Sequence, residues 1–164
     1  MEAYNRCRSA GDFYLQWHTV LDNLFFGQPP QDITHFQNFC VHHNVDTFFN
    51  ALPQGLMTIV GEDGINLSGG QKQLIAFVRA IYNPFKILIL DEMTSSMDRT
   101  MEAHINRILK TISKYRIVIF VTHKLHTVKN MSDRIYIVED GKATVKGSHT
   151  ELMRTQNFYS EYWN

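Results

Sequence analysis

The 164 residues carry 16 Lys+Arg against 16 Asp+Glu, a formal net charge of zero, and the basic residues are scattered. This gives no concentrated positive face of the kind nucleic-acid binding needs, and no apolar run approaches the roughly 20 residues that span a bilayer. Cys7 and Cys40 have neither metal-ligand nor redox-motif spacing, which suits a reducing compartment and argues against a disulfide framework.

In chain order, the opening MEAYNRCRSAGD lacks the charged-then-apolar order of a signal peptide, and residues 1–22 read as irregular. Residues 23–85 read as helices. Ile33, Phe36, Cys40 and Val41 fall near helical spacing, followed by Val45, Phe48, Phe49 and Leu52 before the Pro53-Gln54-Gly55 break. Leu74, Phe77, Val78, Ile81 and Tyr82 then make an i, i+3, i+4, i+7, i+8 stripe, which Pro84 ends.

From Lys86 the period changes. Ile87 to Leu90 and Ile117 to Val121 are short continuous apolar runs, the pattern of parallel strands buried on both faces. Between them Met101, Ile105, Ile108, Leu109 and Ile112 form one apolar helical face, so residues 86–164 begin with a β-α-β unit. Arg134 to Val138 reads as a further strand, and Glu139-Asp140-Gly141 as the turn of a hairpin into Lys142-Ala143-Thr144-Val145-Lys146. Ser148-x-x-Glu151 can form a capping box that opens a last helix toward Phe158. The fold class is α/β: a helical subdomain, then a parallel-sheet β-α-β core, then a C-terminal hairpin.

Functional groups of an α/β sheet gather beyond the carboxyl ends of its strands. Here the first apolar strand ends in Asp91-Glu92 and the second in Val121-Thr122-His123. An apolar strand tipped with acid fixes a carboxylate where a Mg²⁺-nucleotide site needs it; the plain alternative is a solvated acid pair. A strand-end histidine alone is more often a satisfied polar residue, but the two strands of one β-α-β unit deliver their tips to one rim.

Leu67-Ser68-Gly69-Gly70-Gln71 is the most specific signal, since a given pentapeptide occurs in a chain this long with a probability on the order of 10⁻⁴. A helix cap would need only Ser68 and one glycine. A phosphate site uses the whole stretch, with a hydroxyl from Ser68, backbone N–H groups approachable at Gly69 and Gly70, and the positive end of the following helix.

With these motifs the chain resembles the ATP-binding cassette (ABC) ATPases, of the exporter type. LSGGQKQ (Leu67 to Gln73) looks like the family signature, ILILDE (Ile87 to Glu92) like its Walker B strand, and SSMD (Ser95 to Asp98) like its D-loop. Thr122-His123 resembles the switch histidine, and GSHTEL (Gly147 to Leu152) the closing segment of exporter cassettes. The resemblance implies ATP and Mg²⁺ as cofactors, with Asp91 acting on the metal, Glu92 as general base toward water, and His123 at the γ-phosphate. Leu67, Ser68, Gly69, Gly70 and Gln71 would serve the nucleotide of a second cassette in a head-to-tail dimer, and Asp98 would cross to that partner. It further implies an exporter's transmembrane domain as partner and a place at the cytoplasmic face of the membrane.

The resemblance also has gaps. The family's adenine platform and G-x-x-x-x-G-K-[ST] loop are not among these residues, so the chain reads as the C-terminal two-thirds of a nucleotide-binding domain, inactive alone. Residues 1–22 would then be a remnant of the N-terminal core and glutamine-loop region, 23–85 the helical subdomain, and 86–164 the rest of the core. Gln16 stands near the family's glutamine but out of register, Leu74 replaces a basic residue, and Met93 a small one. Two other readings stay open, a DNA-repair or chromosome-structure ATPase lobe and a non-catalytic partner that donates only its signature.

Overall fold

The first helix starts from a capping box. In the computed structural model, which describes residues 18–28 and 30–163, the Asp22 N–H donates to the Thr19 hydroxyl at 3.2 Å and the Thr19 N–H to the Asp22 carboxylate at 3.0 Å. The Thr19 hydroxyl, donating to the Asp22 carboxylate at 2.6 Å, and then the Thr19 N–H hold that carboxyl below its ordinary range, and the box fixes the start of α1 (Val20–Leu24). The Asp32 carboxylate caps α2 (Ile33–His42) by accepting from the His35 N–H at 3.0 Å, and α3 (Asp46–Asn50) follows. Cys40 is buried on α2, and burial, with Asp46 adding to it, pushes its thiol up to about 12. The thiolate form needed for nucleophilic or metal chemistry is therefore suppressed at neutral pH.

The apolar stripe beyond Ser68 becomes α4 (Gly69–Tyr82), which buries Leu74, Ile75, Phe77, Val78 and Ile81. Leu74, the departure from a basic residue, is therefore a core position. Asn83 is extended, as a residue before proline prefers, and the helix ends there. Phe36 of α2 meets Phe25 and Tyr82 edge-on, with ring centroids 4.9 and 5.1 Å apart, and these contacts set α2 against α4.

β1 (Ile87–Asp91) runs parallel to β2 (Ile117–Val121), with Ile87 opposite Ile117 and Asp91 opposite Val121. The crossover helix α5 (Arg99–Ile112) buries Met101, Ile105, Ile108, Leu109 and Ile112, all five residues of its expected face. Leu88 and Leu90 are buried on β1. Just before β2, Arg116 donates to the carbonyls of Ile81 and Asn83, both at 2.9 Å, which satisfies the carboxyl end of α4.

One expectation fails here. Ile87, Ile89, Ile117, Ile119 and Val121 are 44 to 61 % exposed, so the strands are not buried on both faces. Among the described residues β1 and β2 pair only with each other, and a continuous apolar run cannot reveal whether a second layer covers it. A contiguous branched-aliphatic face is a site of association, so the isolated chain is expected to self-associate. Ile89→Lys combined with Ile119→Lys should move its sedimentation profile toward monomer; an unchanged profile would place the contact elsewhere.

The chain divides after Val121 into two compact units. In the second, α6 (Leu125–Met131) precedes the hairpin of β3 (Ile135–Glu139) and β4 (Lys142–Gly147). Its two-residue turn has Asp140 at φ 49° and Gly141 at φ 73°, the mirror-image geometry that matches strand twist and favours Asp-Gly. Ile135, Leu152 and Tyr159 form the core, with Leu125, Val128 and Val145 against it. The Ser148 capping box forms, but it opens only α7 (His149–Leu152), and a separate α8 (Phe158–Trp163) follows. Asn157 makes the break: its amide donates to the carbonyls of Leu152 and Thr155, and its side-chain oxygen accepts from the Ser160 N–H.

Candidate functional site

Ser68 is exposed, at the start of the 14-residue α4. Its hydroxyl accepts from the Gln71 N–H at 3.2 Å, and the Ser68 N–H donates to Gln71 Oε1 at 2.8 Å. Gln71 thus has a full role within the chain as the reciprocal half of a capping box. The first N–H groups of a helix have no intrahelical partner, so at Gly69 and Gly70 they remain for an outside acceptor. Leu67 is buried, which gives its side chain to packing and leaves only its backbone for a ligand.

The two glycines have a second reason to be glycine. A Cβ on Gly69 would lie 3.0 Å from the Ser96 Cβ, and one on Gly70 would lie 3.2 Å from the Ser96 carbonyl oxygen. The helix start therefore stands directly against the Ser95–Asp98 loop of its own chain, a contact the motif does not announce. A cavity of about 390 Å³ opens beside this junction, lined by Ser68, Gly69, Ser96 and Asp98 on one side and by Phe48 and Phe49 of α3 on the other. Asp98 is exposed, and its carboxylate accepts from the Met101 N–H at 2.8 Å, capping α5.

Asp91 ends β1 and Glu92 follows, both half-buried. The Glu92 N–H donates to the Val121 carbonyl at 2.9 Å, so the acid pair lies level with the end of β2. Glu92 has φ 47°, in the left-handed region that a non-glycine residue adopts only when its surroundings impose it. Met93 is buried beneath this turn. Thr122 and the exposed His123 open the second unit, where the Thr122 hydroxyl accepts from the Lys124 N–H at 3.1 Å. Gln16 and Cys7 lie outside the described residues.

The motif reading passes over Gln73, which is 5 % exposed on α4. The sequence does carry the signal: a polar residue four positions before Phe77, on an otherwise apolar stripe, must find buried partners.

A parallel β-α-β unit with an acid-tipped strand thus stands in one compact unit with a serine-glycine helix start, and comparison with known proteins gives the class of this arrangement. The ABC transporter family model matches residues 10–95. The chain is 36 % identical to the ABC multidrug transporter MDR5 of Trichophyton rubrum over 89 % of its own length and 12 % of the relative's. It is 39 % identical to the ATP-dependent lipid A-core flippase of Burkholderia orbicola over 87 % of its length and 24 % of the relative's. The structure of a bacterial Atm1-family ABC exporter with ATP bound is similar at a TM-score of 0.82 and 32 % identity, over 91 % of this chain and 26 % of that one. The chain belongs to the ABC transporter family, and its likeness is to the exporters in it. It spans about an eighth to a quarter of the length of these proteins.

Proposed function

We propose that this chain forms the signature-bearing and hydrolytic part of an exporter's nucleotide-binding domain, which powers transport through ATP-driven dimerisation. The observation that carries this reading is the Ser68–Gly70 helix start, exposed at Ser68 and Gly69 and backed by a 14-residue helix, in the same compact unit as the Asp91–Glu92 strand tip. Ser68, Gly69 and Gly70 offer a hydroxyl and backbone N–H groups to the γ-phosphate of a nucleotide held by a second cassette. Leu67 and Gln71 hold that corner in shape, and Asp98 reaches the partner from the α5 cap.

Asp91 supplies the hard oxygen ligand that Mg²⁺ favours. Mg²⁺ supplies charge neutralisation on the nucleotide phosphates when bound. Glu92 orients and polarises the attacking water, and His123 contacts the γ-phosphate. No helix among the described residues is long and apolar enough to cross a membrane. Attachment to the cytoplasmic face is assigned to an exporter's transmembrane domain. The transporters among the relatives favour this reading over the DNA-repair lobe.

The test is association. Alone, the chain should bind Mg-ATP no more tightly than millimolar, having no phosphate-loop motif in its sequence. Mixed with a catalytically arrested cassette that has such a loop, it should form a complex only with ATP, and Ser68→Arg should abolish the complex. Micromolar binding by the chain alone, or no ATP-dependent complex, would refute the reading.

A further inference from the structure

We infer that Gln73 is a positioning residue that locks the signature helix to the turn carrying Glu92, so that Ser68 and Glu92 act as one mechanical unit within a single chain. The inference rests on the ATPase reading for the roles of Ser68 and Glu92, but not for the link between them.

Gln73 lies five residues beyond Ser68 on α4, about 7–8 Å along the axis. Both ends of its buried amide are engaged by the loop after β1. Nε2 donates to the Ser95 hydroxyl at 2.9 Å and lies 3.5 Å from the Glu92 carbonyl oxygen, while Oε1 accepts from the Ser96 N–H at 3.0 Å. This donor and acceptor pattern fixes which way the amide faces. The Ser95 N–H also donates to the Glu92 carbonyl at 3.1 Å, so the carbonyl side of Glu92 is held by the loop that Gln73 grips.

The amide side of Glu92 is held separately, by the Val121 carbonyl. A left-handed glutamate needs such fixing from both sides. The close approach of Gly69 and Gly70 to Ser96 supplies the third contact between helix and loop. Displacement of the helix start by a ligand at Ser68 is therefore carried through a rigid helix to Ser95 and Ser96, and from there to the Glu92 backbone. An apolar residue at position 73 would leave the Ser96 N–H and the Ser95 hydroxyl without these partners.

The experiment is an NMR cycle on the full chain. Ser68→Ala should shift the Glu92, Ser95 and Ser96 amide resonances when Gln73 is present, and should shift them much less in the Gln73→Met background, where only the glycine contact to Ser96 remains. Gln73→Met alone should speed amide exchange at Ser96 about tenfold without changing exchange at Phe77 or Val78, and Gln73→Glu should restore part of the protection through its retained acceptor. If Gln73→Met does not fold, Gln73→Glu takes its place in the cycle, with the propagated shift expected to fall and not vanish. Shifts that propagate undiminished through the substituted chain would overturn the inference, as would Ser96 exchange that does not change. Neither result bears on ATP-dependent association, so failure of the link and failure of the functional reading are read separately.

Discussion

In an exporter whose cassette carries this segment behind its own phosphate loop, Glu92→Gln is expected to lower ATP turnover by about 10²–10⁴-fold, the usual worth of a positioned general base. Glutamine has the shape of glutamate and can take the same left-handed turn, so the substitution removes basicity and little else. Nucleotide-bound dimers should therefore still form, and accumulate, since in the proposed cycle reopening awaits hydrolysis. Phosphate release gives the rate, and trapped nucleotide the closed state. Hydrolysis at the wild-type rate would remove Glu92 from the base role, and loss of closure along with turnover would make its contribution structural. Asp91→Asn separates the neighbouring position: a metal-facing carboxylate should show its loss mainly as a raised Mg²⁺ requirement.

The helix and strand framework was legible because its periods are strong. The five apolar positions of α5 are buried as spaced, as are Leu74, Phe77, Val78 and Ile81 of the α4 stripe, and the Ser148 box forms from residues three apart. What the sequence hid were choices made by single side chains or by absent layers. Asn157 splits the final helix through a local amide network that competes with helical bonding. The outer isoleucines of β1 and β2 look identical in sequence whether covered or exposed.

The candidate site divides along the same line. Its residue types were readable from motifs, but the engagement of Gln73 by Ser95 and Ser96 and the approach of Gly70 to Ser96 depend on a loop more than twenty residues downstream. A glycine that permits phosphate approach and one that permits packing leave the same letter in the sequence. Here one pair of glycines has the packing role, and is proposed to have the phosphate role as well.

The second large effect is expected in the helical part that aims α4. Phe36→Ala should destabilise the first unit by about 3–5 kcal/mol, the range for an aromatic removed from a core. Phe36 is 1 % exposed, and its ring is met edge-on by Phe25 and Tyr82 and stacked against Phe39 at 6.5 Å. Deleting it removes the apolar burial together with these ring contacts, and its three neighbours, at the end of α1, on the next turn of α2 and on α4, cannot all collapse into the space. Tyr82 closes the far end of the signature helix, where its hydroxyl meets His35 Nδ1 at 3.0 Å, so the loss loosens the end of α4 opposite Ser68. Phe36→Leu, which keeps most of the volume, should cost markedly less, and urea denaturation followed by far-UV circular dichroism distinguishes the two. A cost below about 1 kcal/mol for Phe36→Ala, within what surface positions show, would mean that α2 does not pack on α4 as described and that the direction of the signature helix is set by the Ser96 junction alone.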